Sequence, residues 1–146
     1  MLIRKAKQSE LNMLLNMTVN VISESSMGFV QTNYQNGLAS FVPFINSGAY
    51  YLIALDHQTI AGWVLLGPDF NPYHMQKTGS IISLYVFPAY RKKGVGKQLM
   101  EHALNELKNQ GFQKAQLNVY LGNPAKNLYE KMGFRDISSV MEITFN

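Results

Sequence analysis

Cysteine is absent from the chain. That absence excludes disulfides, zinc–thiolate sites and a cysteine nucleophile, and it fits a reducing, cytosolic setting. Long apolar runs are missing too: none approaches the roughly 18 residues that a membrane helix needs. The first residues, MLIRKAKQSE, hold no apolar core of the kind a secretion signal carries, so a cytoplasmic protein without membrane association is expected. Acidic residues are few, 9 Asp plus Glu against 13 Lys plus Arg, for a formal net charge of +4. An excess this small suits an anionic ligand but does not by itself argue for nucleic acid. Repeats, low-complexity tracts and linkers are also lacking, and 146 residues form one domain, residues 1–146, with room for a core.

What is present is a packed globular composition, 47% hydrophobic with 12% aromatics, and a mixture of periodicities. Leu2 to Ala6 reads as a short edge strand. Leu11, Leu14, Leu15, Thr18 and Ile22 recur at helical spacing and predict a helix from Ser9 to Glu24. A second helix is predicted from Tyr34 to Ile45, against the breaking tendencies of Gly37 and Pro43. Ala49 to Leu55 and Thr59 to Leu66, joined by Asp56-His57-Gln58, read as a β-hairpin. A long loop, Gly67 to Gly79, precedes the strand Ile81 to Phe87, which Pro88 ends. A helix then runs from Gly94 to Gln110, with Val95, Leu99, Ala103 and Leu107 four residues apart and Gly111 as its stop. Ala115, Leu117 and Val119 alternate with polar neighbours as a half-buried strand. Asn123 and Pro124 open a last helix that Gly133 closes, and Val140 to Phe145 is predicted as a final strand. Strands and helices mix without strict alternation, which favours an α+β, mixed-sheet fold.

The chemistry concentrates at RKKGVGK, Arg91 to Lys97. A strand, a tight turn and a helix start bring together amides that have no partner in the helix and the positive end of the helix dipole. Gly94 and Gly96 let an anion approach the backbone, and Arg91, Lys92, Lys93 and Lys97 add charge. Two familiar phosphate motifs fail. A dinucleotide fingerprint needs a third glycine where Leu99 stands; a P-loop needs Ser or Thr where Gln98 stands and Gly where Arg91 stands. From these residues alone, a diphosphate cradle and a solvated basic turn both remain open.

The run LYVFPAYRKKGVGKQLM, Leu84 to Met100, resembles the acetyl-CoA-binding motif of the GNAT N-acetyltransferases: Arg91, Gly94 and Gly96 fall on its Arg-x-x-Gly-x-Gly core. LNVYLGNPAKNLYEKMGF, Leu117 to Phe134, is similar to the family's second motif at Asn123, Ala125, Tyr129, Gly133 and Phe134. The resemblance implies the GNAT fold, a central, largely antiparallel mixed sheet flanked by helices, and acetyl-CoA as co-substrate, with no metal. It implies that Leu84, Tyr85 and Val86 pair with the pantetheine arm and point an amide at the acetyl carbonyl, where an oxyanion develops. Lys92, Lys93, Gly94, Val95, Gly96 and Lys97, with Arg91, would hold the pyrophosphate, and Asn118 and Asn123 would lie along the cofactor. Tyr129 would stand at the sulfur and protonate the departing thiolate, a step of little cost for a phenol of pKa ~10; by periodicity it could equally be a packing aromatic. Family members often dimerise, so a homodimer is a further expectation.

The strand Ser80 to Val86 holds no carboxylate to deprotonate an amine. Glu24, His57, Asp69 and His74 are the candidate bases, with water as the default. Tyr34, Phe41, Phe44, Phe70 and Tyr73 fall in regions that, by resemblance, line the acceptor pocket, and Tyr34, Asp69, Tyr73 and His74 are the candidate acceptor-binding residues. No acidic cluster is available for a polycation. The function expected is acetyl transfer to a primary amine of a small molecule or peptide by direct attack, since no cysteine can form an acyl intermediate. The alternatives are a non-catalytic acetyl-CoA sensor and a basic nucleic-acid-binding domain; nucleic acid is disfavoured because the basic residues cluster at one turn.

Overall fold

A computed structural model describes residues 1–69 and 77–146. Five strands form one sheet in the order β1-β2-β3-β4-β5: β1 (Leu2–Lys5), β2 (Tyr50–Asp56), β3 (Thr59–Pro68), β4 (Thr78–Val86) and β5 (Lys114–Leu117). Only the β4–β5 pair is parallel. The five principal helices are α1 (Leu11–Asn20), α2 (Ile22–Ser25), α3 (Tyr34–Asn46), α4 (Val95–Asn109) and α5 (Ala125–Lys131). Short 3-10 turns precede α1 and α4.

Alternation along the strands sorts side chains to two faces. Leu52, Ala54, Val64 and Leu66 join Leu99, Met100, Ala103 and Leu107 of α4 and Tyr129 of α5 in one core. Tyr51, Ile53, Leu55, Trp63 and Leu65 join Leu14 and Leu15 of α1 in the other, with Leu38, Phe41 and Phe44 of α3 packed on them. The four-residue spacing in α4 thus produces its buried stripe. Trp63 is wholly buried and stacks on Tyr85 with ring centroids 5.0 Å apart, an arrangement that adds roughly 0.5–1.5 kcal/mol to area burial.

The β4 register contains a feature with consequences for the site. Leu65 pairs with Ser83 but Leu66 pairs with Ile81, so Ile82 is an extra residue. This bulge bends and twists the strand locally. It also switches parity: Ile81, Leu84 and Val86 face α4, while Ile82, Tyr85 and Phe87 face α1. The pairing of β4 with β5 ends at Ile81↔Leu117, while β4 continues to Val86. The two strands therefore part, leaving one backbone edge of β4 open from Ile82 onward.

The structure corrects two sequence expectations and bears out a third. The first predicted helix divides at Val21, whose backbone leaves helical geometry (φ −101°, ψ 6°), so α2 begins afresh. The second is continuous from Tyr34 to Asn46 despite Gly37 and Pro43. Gly37 allows close contact with the first helical segments: a Cβ there would lie 2.9 Å from Val19 Cγ1 and 3.1 Å from Ile22 Cδ1. Pro43 lies inside α3 and removes one i→i−4 bond, to Ala39 O, yet the helix continues to Asn46. The predicted strand Val140 to Phe145 does not form. Alternating side chains supply strand propensity, but a strand also needs a neighbour to complete its hydrogen bonds, and residues 137–146 have none among the described residues.

Candidate active site

The turn after β4 is built to leave amides exposed. Pro88 sets the first residue of the 3-10 turn Pro88–Tyr90. Lys92 and Gly94 then take left-handed backbone angles, φ 61° and 82°. The second suits glycine, and a Cβ on Gly94 would meet nothing within 4 Å. The first helical bond of α4 is Gln98 N–H to Gly94 O, 3.1 Å. The amides from Lys92 to Lys97 have no acceptor among the described residues. Lys92 is exposed, Lys93 Nζ lies 6.0 Å from the Tyr90 ring, and Lys97 makes a loose 3.9 Å pair with Glu101. A short phosphate-bearing group placed here would meet free N–H donors, mobile ammonium groups and the positive helix end together.

Arg91 behaves differently from its lysine neighbours. Its Nε donates to Val86 O at 2.8 Å, its Nη2 donates to Glu24 Oε1 at 2.8 Å, and its guanidinium lies 5.3 Å from the Tyr85 ring centroid. The side chain therefore turns back on β4, away from the free amides of the turn, and acts as a clamp. Glu24 also accepts from Tyr85 Oη at 3.0 Å. The Arg91 guanidinium, with help from Tyr85, holds the Glu24 carboxyl below its ordinary pKa. Burial and then the Glu24 carboxylate push the Tyr85 phenol up. A carboxylate thus reaches the central strand from α2, although β4 itself supplies none.

The α5 side closes the cleft. The nearest atoms to a Cβ on Gly96 would be Leu128 Cδ2 at 3.6 Å and Val86 Cγ2 at 3.7 Å, so the start of α4, the end of β4 and α5 meet there. Tyr129, in the next position, is buried and edge-on to Phe134 at 5.9 Å. Its hydroxyl has no hydrogen-bond partner among the described residues, and burial pushes the phenol up to about 12. A buried phenol without a partner is uncommon and fits a ligand atom that completes it. Asn123 stands one residue before Pro124, the N-cap of α5; its Oδ1 accepts from Ala125 N–H at 2.9 Å, and its Nδ2 donates to Ser25 O at 3.3 Å. Asn118 is exposed just beyond β5.

Other candidate residues are less concentrated. Tyr34 Oη bonds Asn16 Oδ1 and ties α3 to α1. Phe41 and Phe44 pack on the core. His57 occupies the β2–β3 turn, almost fully exposed, with Asp56 3.9 Å away. Asp69 N–H donates to Thr78 O at 3.0 Å, extending the β3–β4 pairing by one bond. Phe70, Tyr73 and His74 lie outside the described residues. Sequence reasoning missed the bulge at Ile82 and the convergence of Glu24, Tyr85 and Arg91; the partners stand 61 and 67 positions apart, and no local pattern signals them.

The site thus combines a parting strand pair, a helix start with free amides and a buried phenol without a hydrogen-bond partner among the described residues. Residues 19–134 match the model of the Acetyltransferase (GNAT) family, and the chain belongs to that family. Among curated proteins it is 30% identical over 90 residues to the uncharacterized N-acetyltransferase YycN of Bacillus subtilis, covering 61% of this chain and 56% of that one. It is 34% identical over 58 residues to the [ribosomal protein bS18]-alanine N-acetyltransferase of Haemophilus influenzae, covering 40% of each. The matches thus span about half or less of these relatives. Among solved structures, a candidate acetyl transferase from Pyrococcus furiosus superposes with a TM-score of 0.79 at 20% identity over 99% of both chains. AAC(6')-Iy, solved with the bisubstrate analog CoA-S-monomethyl-acetylneamine, gives 0.71 at 15% over 99% of this chain and 97% of that one. These likenesses show the fold. No described helix is long and apolar enough to cross a membrane.

Proposed function

We propose that the chain transfers an acetyl group from acetyl-CoA to a primary amine of a small molecule or peptide. The observation that carries this reading is the row of free amides from Lys92 to Lys97 beside an open β4 edge, with a buried Tyr129 hydroxyl that has no partner among the described residues. Family membership supports the donor.

In this reading the amides of Lys92 to Lys97 bind the diphosphate, and the open edge of β4 from Ile82 to Val86 pairs with the pantetheine arm. A β4 amide then donates to the thioester carbonyl as it gains negative charge, the kind of contact worth about 3–4 kcal/mol in acyl transfer. The amine nitrogen bonds to the carbonyl carbon and the carbon–sulfur bond breaks. Tyr129 donates a hydrogen bond to the departing sulfur. With a pKa of about 12, against ~8.5 for an ordinary thiol, the phenol keeps its own proton. The sulfur's proton comes from the nitrogen, which must shed one to become an amide. Burial therefore refines the sequence expectation of simple proton donation.

Glu24 is the carboxylate placed to read an incoming ammonium beside Tyr85. Held ionised by Arg91, it orients that group, and water removes its proton. Support for an α-amino acceptor comes from the names of two relatives, the ribosomal protein alanine N-acetyltransferase of Haemophilus influenzae and an N-alpha-acetyltransferase of Sulfurisphaera tokodaii.

The test is thiol release from acetyl-CoA across a panel of peptides with free N-termini and small primary amines. Amine-dependent release with at least one class supports the reading. Tight acetyl-CoA binding without release to any amine favours a sensor, and no acetyl-CoA binding overturns both.

A further inference from the structure

The two faces of the sheet differ in charge. Residues 11–55, which supply α1, α2, α3 and most of β2, hold a single charged residue, Glu24. An ordinary soluble stretch of this length carries about 11. On the other face, α4 and the turn before it, residues 91–109, hold five basic and two acidic residues. Residues 78–90, which include β4, hold no charged residue, and residues 70–76 hold no Asp, Glu, Lys or Arg. The positive charge that suits a phosphate-bearing donor is thus gathered on the α4 side, and the α1–α3 layer is left neutral.

That layer is polar without being charged. Asn12, Asn16, Asn20, Gln35, Asn36 and Asn46 are exposed on α1 and α3, and an amide both donates and accepts. A cavity of about 220 Å³ borders α2 through Ile22 and Ser23 and reaches the start of α3. Its polar lining is Asn20, Ser23, Gln31, Thr32, Asn33 and Tyr34, with no charged side chain. Glu24 is the exception. One of its oxygens receives Arg91 Nη2 and the other Tyr85 Oη. Each carboxylate oxygen can accept a second bond, so this exposed group still has room for one ammonium.

We infer that the acceptor is a peptide α-amine followed by uncharged residues, so that its ammonium is the only charge it brings to the α1–α3 layer. The inference rests on the acetyl transfer proposed above and narrows its acceptor. An acidic side chain beside the amine meets the Glu24 carboxylate, and the repulsion grows as the bound peptide displaces water. A second ammonium loses hydration and finds no other anion on α1, α2 or α3. Backbone amides and neutral side chains lose little, because the hydroxyls and amides that line the cavity replace their bonds to water.

The test uses short peptide amides of one length that begin with alanine and differ only at their second residue: serine, aspartate or lysine. Thiol release from acetyl-CoA by the full chain gives kcat/KM for each. The serine peptide is expected to exceed the other two by at least ~10-fold, and its lead over the aspartate peptide should shrink in high salt, which screens the repulsion. Ser23→Asp adds an acidic group at an exposed position beside Glu24. It should bring the lysine peptide to within about threefold of the serine peptide while acetyl-CoA affinity stays within twofold. Equal rates for the three peptides overturn the inference. So does a preference for the aspartate or the lysine peptide, or a ranking that Ser23→Asp leaves unchanged. In each of those cases acetyl transfer itself stands. Acetyl-CoA binding with no thiol release to any amine overturns the proposed transfer, and this inference with it.

Discussion

Glu24 and Arg91, 67 positions apart, form a 2.8 Å ion pair that joins α2 to the turn before α4. The pair is half exposed, so its direct worth to stability is small, about 0–1 kcal/mol. Its consequence is geometric, because Arg91 also holds the Val86 carbonyl at the end of β4. Glu24→Gln should raise KM for the amine about tenfold and leave acetyl-CoA affinity within twofold. Arg91→Ala should weaken acetyl-CoA about tenfold by freeing the end of β4. Steady-state kinetics with each substrate varied checks the split, and equal loss in both variants for both substrates would contradict it.

Tyr129→Phe should lower kcat about 10–100-fold, the size of one positioned hydrogen bond to a developing charge, with little change in acetyl-CoA affinity. Because the phenol is pushed up to about 12, it stays protonated throughout the working range. The pH–rate profile of the wild type should therefore show no fall attributable to Tyr129 below about pH 11. A basic limb that falls near pH 9 and disappears in the phenylalanine variant would contradict this assignment.

Gly62→Ala tests the end of β4 from the other side. A Cβ there would stand 2.5 Å from the Tyr85 backbone oxygen and 3.2 Å from Val86 Cα. Backbone must move to accept it, at a cost of roughly 2–3 kcal/mol. Thermal unfolding should shift down by about 5–10 °C, and acetyl-CoA binding should weaken with it. An unchanged melting temperature would mean that β3 and β4 yield more easily than their register implies.

Glu10 anchors the entry to α1. Its carboxylate receives Arg4 Nη1 and Nη2 at 2.9 and 3.0 Å and the Lys7 amide at 2.7 Å. These bonds, the Arg4 pair foremost, pull its pKa from 4.5 to about 2. A carboxyl depressed in the folded state stabilises above its unfolded pKa, and the stabilisation is lost as pH falls from about 4.5 toward about 2. Glu10→Gln should lower stability at pH 7 by about 1 kcal/mol, and the gap from wild type should narrow through that window. A gap that stays constant from pH 7 to pH 2.5 in urea titrations would contradict the linkage.

Much of the fold is legible in the sequence because its cause is local. The four-residue spacing from Val95 to Leu107 marks α4, the turn at His57-Gln58 marks the hairpin, and Asn123 with Gly133 brackets α5. The failures have tertiary causes. The bulge at Ile82 appears only when β4 is paired with β3. The helix predicted from Tyr34, by contrast, does form, and it keeps Gly37 because Val19 and Ile22 need the space. Val140 to Phe145 has the alternation of a strand but no strand neighbour among the described residues. At the site, the free amides at Lys92 to Lys97 were readable from glycines and charge. The Arg91 clamp was not, since its partners Val86 and Glu24 are set by how the chain packs.

In the proposed function, the backbone amides from Lys92 to Lys97 hold the diphosphate of coenzyme A. Amide chemical shifts recorded while the protein is titrated with coenzyme A, and separately with pantetheine, which lacks the diphosphate, address it most directly. Large shifts are expected at Gly94, Val95, Gly96 and Lys97 with coenzyme A, and at Leu84 to Val86 with both ligands. Shifts at β4 with coenzyme A but none from Lys92 to Lys97, or equal affinity for the two ligands, would contradict it.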